Sequence, residues 1–179
     1  LVNKAAANPV FGSMFDVDER AWDTILGLNL KGYFFLSQAV GKAMRDKGGG
    51  SIINIASEDG LRPKIGIGIY SISKAGVIML TQVLAQEWGQ YNIRVNAIAP
   101  GVVRTRFSEA LWGNPAIRER TEDSTALGRI AEPEEIVGAA LFLVSDAWSF
   151  KRDQKIVLDG GHFSSVRTLL ATLPQTRER

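Results

Sequence analysis

Short apolar runs with the character of β-strands alternate along this chain with segments in which apolar side chains recur at helical spacing. Four runs fit strands, at residues 1–3, 51–55, 93–98 and 155–159. The third is followed by Pro100, which has no N–H to donate to a sheet. Strands separated by helices are typical of a parallel sheet covered on both faces. The pattern therefore predicts an α/β fold with a doubly wound parallel sheet, whose ligand site lies at the carboxyl ends of the strands.

Three segments carry helix signals. Asp16 followed by Glu19 resembles a capping box, and we expect a helix from there to about Arg45 with a break near residues 27–29. A second helix is predicted over residues 70–88, and a third begins at Pro133, a residue favoured in the first helical turn. The connection 102–132 shows no clear element, and long connections of this kind are often functional lids.

Composition narrows the functions that this chain can have. It holds 179 residues, 22% of them charged, with 21 basic and 19 acidic side chains and a formal net charge of +2. The basic surplus lies after residue 161, so nothing suggests nucleic acid binding. The absence of Cys excludes thiol chemistry, and the single His162 argues against a histidine metal site or a Ser-His-Asp triad. We expect no metal, no membrane contact and a cytoplasmic location, because the longest uncharged apolar stretch, 75–86, is too short to cross a bilayer and no signal peptide is visible.

Tyr70 and Lys74 are the first candidates for chemistry. They are four residues apart and therefore share one helix face. A lysine charge about 4 Å from the phenol is worth about 4 kcal/mol at an effective dielectric near 20, or roughly three pKa units as an upper estimate. That effect would let Tyr70 exchange a proton with an alcohol or carbonyl oxygen. The alternative is a chance pair on a solvated helix face.

Ser57 and Asn29 are the next candidates. Ser57 follows the strand at 51–55, where its hydroxyl can meet Tyr70 and hold a substrate oxygen, or can simply form a turn. Asn29 lies beside Gly27 inside a helical segment that neither residue favours. Its backbone carbonyl, freed by a kink, would hold a water near Lys74. The alternative is a kink with no further role.

With these residues in this order, the chain resembles the short-chain dehydrogenase/reductase family over residues 1–161, which leaves 162–179 as an unmatched tail. The matching segments appear in family order: Leu1-Val-Asn-Lys-Ala-Ala6, Asn29-Leu-Lys-Gly32, Ser51-Ile-Ile-Asn-Ile-Ala-Ser57, Tyr70-x-x-x-Lys74, Asn96-Ala-Ile-Ala-Pro-Gly-Val-Val-Arg-Thr105, Gly128-Arg-Ile-Ala-Glu-Pro-Glu-Glu135 and Asp159-Gly-Gly161. The resemblance implies a Rossmann-like fold, with residues 1–161 as the C-terminal two-thirds of the domain.

The resemblance also implies an oxidoreductase that interconverts an alcohol and a ketone or aldehyde with NAD or NADP. In that family, the residue matching Tyr70 is the general acid/base, and the one matching Lys74 lowers the pKa of that tyrosine and binds the nicotinamide ribose. The residue matching Ser57 holds the substrate oxygen. The residue matching Asn29 takes part in a proton relay through water. Cofactor contacts would fall on Tyr70, Lys74 and the following residues: Asn3, Ala5, Pro100, Gly101, Val103 and Thr105.

Two further expectations concern the substrate and the assembly. Phe107, Leu111 and Trp112 are candidates for a substrate lid, with a small amphipathic helix as the alternative. The partners implied are a small-molecule alcohol or carbonyl substrate and further copies of the chain, in a homodimer or homotetramer.

The chain departs from the family pattern at several places. The glycine-rich phosphate loop, T-G-x-x-x-G-x-G, is absent, and we expect it in strand–helix units ahead of Leu1. Lys4 replaces a usual Asn, and Lys151-Arg-Asp153 replaces a turn that usually ends in Gly, where positive φ would make a Cβ costly. A truncated, non-catalytic remnant is therefore an alternative function, and a doubly wound nucleotide binder without redox chemistry is a third.

Overall fold

A computed structural model of the chain describes residues 1–145 and 153–162. Four parallel strands form one sheet in the order β1-β2-β3-β4. Their bounds are Val2–Asn3 for β1, Gly50–Ile55 for β2, Ile93–Pro100 for β3 and Lys155–Leu158 for β4. Each of the four predicted strands is present, and β3 runs on to Pro100. The predicted parallel α/β sheet is confirmed.

The helices connect these strands. They are α1 (Glu19–Leu26), α2 (Gly32–Asp46), α3 (Gly68–Trp88), α4 (Glu109–Trp112), α5 (Pro115–Asp123) and α6 (Pro133–Val144). A π-helical segment, Gly27–Lys31, joins α1 to α2 at the predicted break. The capping box predicted at Asp16 is wrong, because residues 14–16 form a separate 3-10 turn capped by Ser13. Asp18 caps α1 instead, accepting a 2.7 Å hydrogen bond from the Ala21 amide.

The core lies on both faces of the sheet. Alternate residues of β2 and β3, including Ile52 and Val95, pack with α3 on one face. Ile53 and Ile98 point the other way and pack with Leu143 of α6. The period of two along each strand thus places one helical layer on each side, as a doubly wound fold requires.

The helix α3 is the central helix of this core. By length and composition alone, one helical span among the described residues, Gly68–Tyr91 with a mean hydropathy of 1.3, is apolar enough to cross a membrane. Its buried side chains include Val77 and Leu84, which pack against the sheet, and also the polar Lys74 and Thr81. This pattern is that of a core helix.

Two expectations from the C-terminal half need comment. The connection 102–132, expected to lack elements, contains α4 and α5, which are short and carry little apolar periodicity. Asp153, just before β4, has φ of 57°, so the turn does place a residue with a Cβ in the left-handed region. Of the expected tail, 162–179, only His162 lies within the described residues.

Candidate active site

The site is built where β2 ends and α3 begins. Ser57 comes two residues after β2 and caps the 3-10 turn Glu58–Gly60, its Oγ accepting a 3.1 Å hydrogen bond from the Asp59 amide. Gly60 lets this turn lie against α3, because a Cβ there would come within 2.6 Å of the Lys74 backbone carbon. The close approach brings the Ser57 turn to the helix that carries Tyr70 and Lys74.

Ser57 and Tyr70 are brought together as predicted. The Ser57 hydroxyl lies near the Tyr70 phenol, where it lowers the pKa of Tyr70. Ser57 Oγ also donates to Asp59 Oδ2 at 3.2 Å, so a carboxylate orients the hydroxyl. Two hydroxyl groups therefore converge at the carboxyl edge of the sheet, the place where such folds bind ligands.

The acidity of Tyr70 differs from the sequence expectation. The pKa of Tyr70 is raised to about 12, mainly by burial; the nearby charges of Asp59 and Glu58 contribute to this rise, and the Ser57 hydroxyl opposes it. The Lys74 ammonium does not offset this: Nζ lies 5.6 Å from the centre of the Tyr70 ring and is directed at a backbone carbonyl. Desolvation of the phenolate outweighs the lysine charge in this structure.

Lys74 is the most unusual buried residue of the site. Its side chain is 1% exposed, and burial lowers its pKa to about 8. Nζ donates a 2.8 Å hydrogen bond to the Ile55 carbonyl at the end of β2. The Tyr33 hydroxyl donates to the same carbonyl at 3.3 Å, and the Tyr33 ring lies 5.5 Å from Nζ. Sequence reasoning missed Tyr33, although its place on the inner face of α2 was a signal that could have found it.

Asn29 is buried in the π-helical segment, and its side chain joins two other parts of the chain. Its Oδ1 accepts from the Ala7 amide at 2.8 Å, and its Nδ2 donates to the Ala7 carbonyl at 3.0 Å. The same Nδ2 donates to Ser73 Oγ at 3.0 Å. Asn29 thus positions the loop after β1 and the turn of α3 next to Lys74. The water held by its backbone carbonyl stays a prediction.

The expected cofactor residues separate into two groups. Asn3 is buried, and its Nδ2 donates to Ser37 Oγ at 2.9 Å and to Asn54 Oδ1 at 2.8 Å, so its amide serves the core. Ala5 is exposed just after β1. The remaining four lie in the loop that leaves β3, at positions Pro100, Gly101, Val103 and Thr105.

The loop that leaves β3 is fastened to β4 and to the segment before α6. The Gly101 amide donates to Leu158 of β4 at 2.9 Å, and Val103 pairs with Ala131 in an isolated β-bridge. Thr105 accepts a 3.0 Å hydrogen bond from the indole of Trp112 on its backbone carbonyl.

One of the expected lid residues reaches the catalytic pair. The Phe107 ring centre lies 6.0 Å from that of Tyr70, and Trp112 is anchored to Thr105 as described above. Leu111 is exposed on α4. A small helix is therefore present at Leu111 and Trp112, and the substrate lid stays a prediction.

Sequence reasoning missed three polar residues beside the catalytic pair. Asp59 accepts from Ser57, as described above. Glu58 is buried and hydrogen-bonded to His162 Nδ1 at 2.9 Å. Burial raises the pKa of Glu58, and the interaction with His162 opposes that shift. Two adjacent acidic residues directly after Ser57 were the signal in the sequence. A buried charge at a strand end is costly, so acidic residues there indicate a functional or paired carboxylate.

Comparisons with known proteins identify the family of this chain. The family model described as "Enoyl-(Acyl carrier protein) reductase" matches residues 1–162. Dehydrogenase/reductase SDR family member 4 of Oryctolagus cuniculus is 40% identical over 161 residues, covering 90% of this chain and 62% of that protein. The NAD-dependent glycerol dehydrogenase of Listeria innocua serovar 6a is 41% identical over 147 residues, covering 82% and 58%.

A solved structure gives the same result for the fold. The gluconate 5-dehydrogenase from Burkholderia cenocepacia J2315, in complex with NADP and tartrate, superposes with a TM-score of 0.89 at 33% identity, covering 92% of this chain and 64% of that one. This chain belongs to the short-chain dehydrogenase/reductase family, a family of oxidoreductases with a Rossmann-like fold. It spans about three-fifths of the length of the relatives that it matches.

Proposed function

We propose that this chain forms the catalytic part of an NAD(P)-dependent enzyme that interconverts an alcohol and a ketone or aldehyde, with Tyr70 as general acid/base. The observation that carries the proposal is the buried Tyr70 phenol beside Ser57 at the carboxyl edge of the sheet, with Lys74 one helical turn further on. The names of similar proteins support it, since a glycerol dehydrogenase and a gluconate 5-dehydrogenase both describe oxidation of an alcohol.

The donor groups of this chain fit a nicotinamide cofactor. An ammonium group has three N–H donors. Among the described residues, that of Lys74 makes one hydrogen bond, to Ile55, which leaves two N–H groups for ribose hydroxyls. The exposed Ala5 and the loop of Pro100, Gly101, Val103 and Thr105 would line the same edge, whereas the Asn3 amide is committed to the core. When bound, the cofactor supplies or accepts the hydride.

The protein groups supply position and the proton. The Ser57 hydroxyl, already directed by Asp59, would hold the substrate oxygen within reach of the Tyr70 phenol. A tyrosine with a pKa near 12 keeps its proton at neutral pH, which suits donation to the carbonyl oxygen during reduction. In the reverse direction, Tyr70 would take the alcohol proton, and this step would gain from a fully charged Lys74. Asn29 would act by positioning the helical turn next to Lys74.

A non-catalytic remnant is the second candidate. It is favoured by the sequence of this chain, which holds no glycine-rich phosphate loop. The two candidates differ in cofactor binding. The enzyme should quench its tryptophan fluorescence saturably with micromolar NADH or NADPH, whereas a remnant should not.

We also propose that the chain assembles as a homodimer or homotetramer. Large apolar side chains are exposed along α2 and α3, namely Phe34, Phe35, Leu36, Ile72, Met79 and Val83. Sedimentation velocity measures this assembly, and a monomer at every concentration would contradict it.

The decisive test of the catalytic proposal is Tyr70→Phe, measured on the longest natural form of the protein that contains this chain. Loss of a general acid/base lowers kcat by about 10²- to 10⁴-fold, while cofactor affinity should stay within about twofold. Tyr91→Phe is the matched control, since Tyr91 is exposed at the far end of α3 and should keep full activity. Activity of Tyr70→Phe at the wild-type level would refute the assignment.

A further inference from the structure

A hydrogen-bonded pair that the proposed catalytic roles do not use spans the edge of the sheet beside Tyr70. Glu58 follows β2 and His162 follows β4, and the Glu58 carboxylate meets His162 Nδ1 at 2.9 Å. Glu58 Oε2 also lies 3.3 Å from the position that a Cβ on Gly101 would take. The pair therefore touches the carboxyl ends of β2, β3 and β4 together.

The pair forms one wall of a small cavity whose surface is mostly apolar but whose lining includes charged side chains. The cavity has a volume of about 90 Å³, roughly that of three water molecules, and is lined by Glu58, Asp59, Arg62, Pro63, Lys64 and His162. It adjoins the catalytic hydroxyls, because Asp59 accepts a hydrogen bond from Ser57 and the charges of both Glu58 and Asp59 act on Tyr70. Its walls suit a small polar group.

Burial of the Glu58 carboxylate at this position costs free energy of folding. The residue is 4% exposed, and a buried carboxylate is costly unless it is paired and hydrogen-bonded. A carboxylate offers about four acceptor sites, and His162 uses one of them. The His162 side chain is 28% exposed, so part of the imidazole faces solvent. The pair thus offers an acceptor and a ring nitrogen, which together match a hydroxyl group that donates and accepts.

We propose that Glu58 and His162 bind a second hydroxyl group of the substrate, on the carbon next to the one that Tyr70 and Ser57 serve. This inference rests on the proposed function and names its substrate class: vicinal diols and their α-hydroxy carbonyl counterparts. Glu58 and His162 are then specificity-determining residues.

The kinetic test compares 2,3-butanediol with 2-butanol, which differ only in the vicinal hydroxyl, on the longest natural form of the protein. Glu58→Gln and His162→Ala should each raise KM for the diol by about 10- to 100-fold, the effect of losing a hydrogen bond to a charged group. The kcat/KM for 2-butanol should stay within about twofold. Glu87→Gln, which changes an exposed glutamate on α3, is the matched control and should alter neither substrate.

Other kinetic outcomes overturn the inference. Equal loss of activity towards both alcohols would show that the pair only fastens the chain after β4 to the turn after β2. An unchanged KM for the diol in both variants would show that the pair does not touch the substrate. If the wild-type protein oxidises neither alcohol and reduces neither ketone with NAD(H) or NADP(H), the proposed function itself fails.

A second measurement tests the pair without turnover. His162 is the one histidine of these 179 residues, and isotope labelling of histidine gives an NMR imidazole signal that His162→Ala identifies by its loss. We expect 2,3-butanediol to shift that signal saturably, 2-butanol to leave it unchanged, and Glu58→Gln to abolish the diol effect. A signal that does not respond to the diol overturns the inference whether or not the protein is active.

Discussion

Two clusters of buried polar side chains adjoin β2, and they have opposite consequences for stability. The amide network consists of Asn3, Ser37, Asn54 and Thr81, and its hydrogen bonds run from Asn3 to Ser37 and Asn54 and from Asn54 to Thr81, at 2.8 to 2.9 Å. The second cluster, called the catalytic cluster after its role in the proposed function, consists of Ser57, Tyr70 and Lys74. Both lie in the layer between β2 and α3 and both are buried.

The difference between them is ionisable charge. Amides and hydroxyls lose only hydrogen bonds to water on burial, and the network replaces most of these internally. In the catalytic cluster, burial raises the pKa of Tyr70 to about 12 and lowers that of Lys74 to about 8. Both shifts disfavour the charged form. The amide network therefore stabilises the fold, whereas the catalytic cluster lowers stability and is explained by its chemistry.

The largest effect should come from breaking the amide network at Asn54. Asn54→Ala leaves one N–H of Asn3 Nδ2 without an acceptor and Thr81 Oγ1 without a donor, although Asn3 keeps Ser37 and Thr81 keeps the Val77 carbonyl, and each loss costs about 1–3 kcal/mol. We expect the free energy of unfolding to fall by about 4 kcal/mol in urea titrations. Gln86→Ala, which truncates an exposed amide on α3, is the control and should change it by less than about 0.5 kcal/mol. A loss for Asn54→Ala as small as the control's would mean that the network contributes nothing.

Substitution of Lys74 should change the free energy of unfolding in the opposite direction. Its pKa is about 8 in the folded chain against an ordinary value of 10.5. At pH 7 the folded state therefore carries the full cost of a buried charge, at most about 3 kcal/mol. Lys74→Met should raise the free energy of unfolding at pH 7 by up to that amount, while activity is lost.

The pH dependence of the free energy of unfolding tests whether the buried charge of Lys74 causes this difference. Above pH 8 the unfolded chain binds more protons at Lys74 than the folded chain does, so wild-type stability should rise with pH. The advantage of Lys74→Met should shrink accordingly towards pH 10. Above that pH, the raised pKa values of Tyr33 and Tyr70 make stability fall, so urea titrations between pH 7 and pH 10 isolate Lys74. The exposed Lys42→Met is the control, and a destabilised Lys74→Met would contradict the comparison.

The sequence predicted part of the catalytic cluster but not the amide network, since Asn3 was expected to contact the cofactor. Apolar periodicity located the four strands and α3, because each buries one face or both against a neighbouring layer. The proximity of Ser57 and Tyr70 also followed, since a strand end and the start of the next helix meet at one edge of a parallel sheet. The acidity of Tyr70 did not follow, because it depends on burial and on the direction of the Lys74 ammonium.

Long-range polar contacts were beyond sequence reasoning for a similar reason. Asn29 was recognised through its place in a broken helix, but its partners Ala7 and Ser73 are brought to it only by the complete fold. Glu58 and His162 are 104 residues apart along the chain, and no local pattern joins them. Side-chain hydrogen bonds between distant segments leave no periodic signal in a sequence.

A smaller effect is expected at Phe107, which lies against the catalytic cluster without belonging to the core. Its side chain is 55% exposed and its ring contacts that of Tyr70. Phe107→Ala should lower the free energy of unfolding by less than about 0.5 kcal/mol, as surface substitutions do, but raise KM for the substrate. The fully exposed Phe15→Ala is the control and should leave KM unchanged. A stability loss above about 1 kcal/mol would make this segment part of the core instead of a lid.

The smallest expected effect concerns backbone strain at Asp153, which lies outside both clusters. Asp153 adopts φ of 57° just before β4, a conformation that glycine takes without a steric penalty. Among the described residues, its side chain accepts one hydrogen bond, from the side-chain amide of the neighbouring Gln154 at 2.9 Å, at an exposed site. Asp153→Gly should therefore raise the free energy of unfolding by about 0.5 kcal/mol, because relief of strain exceeds the added entropy of the unfolded chain. Kinetic constants should not change, since Asp153 lies at the amino end of β4 and the catalytic groups lie at the carboxyl ends of the strands. Asp153→Ala keeps the Cβ and should gain nothing, so an equal gain from both substitutions would show that the side chain, and not the backbone, sets this cost.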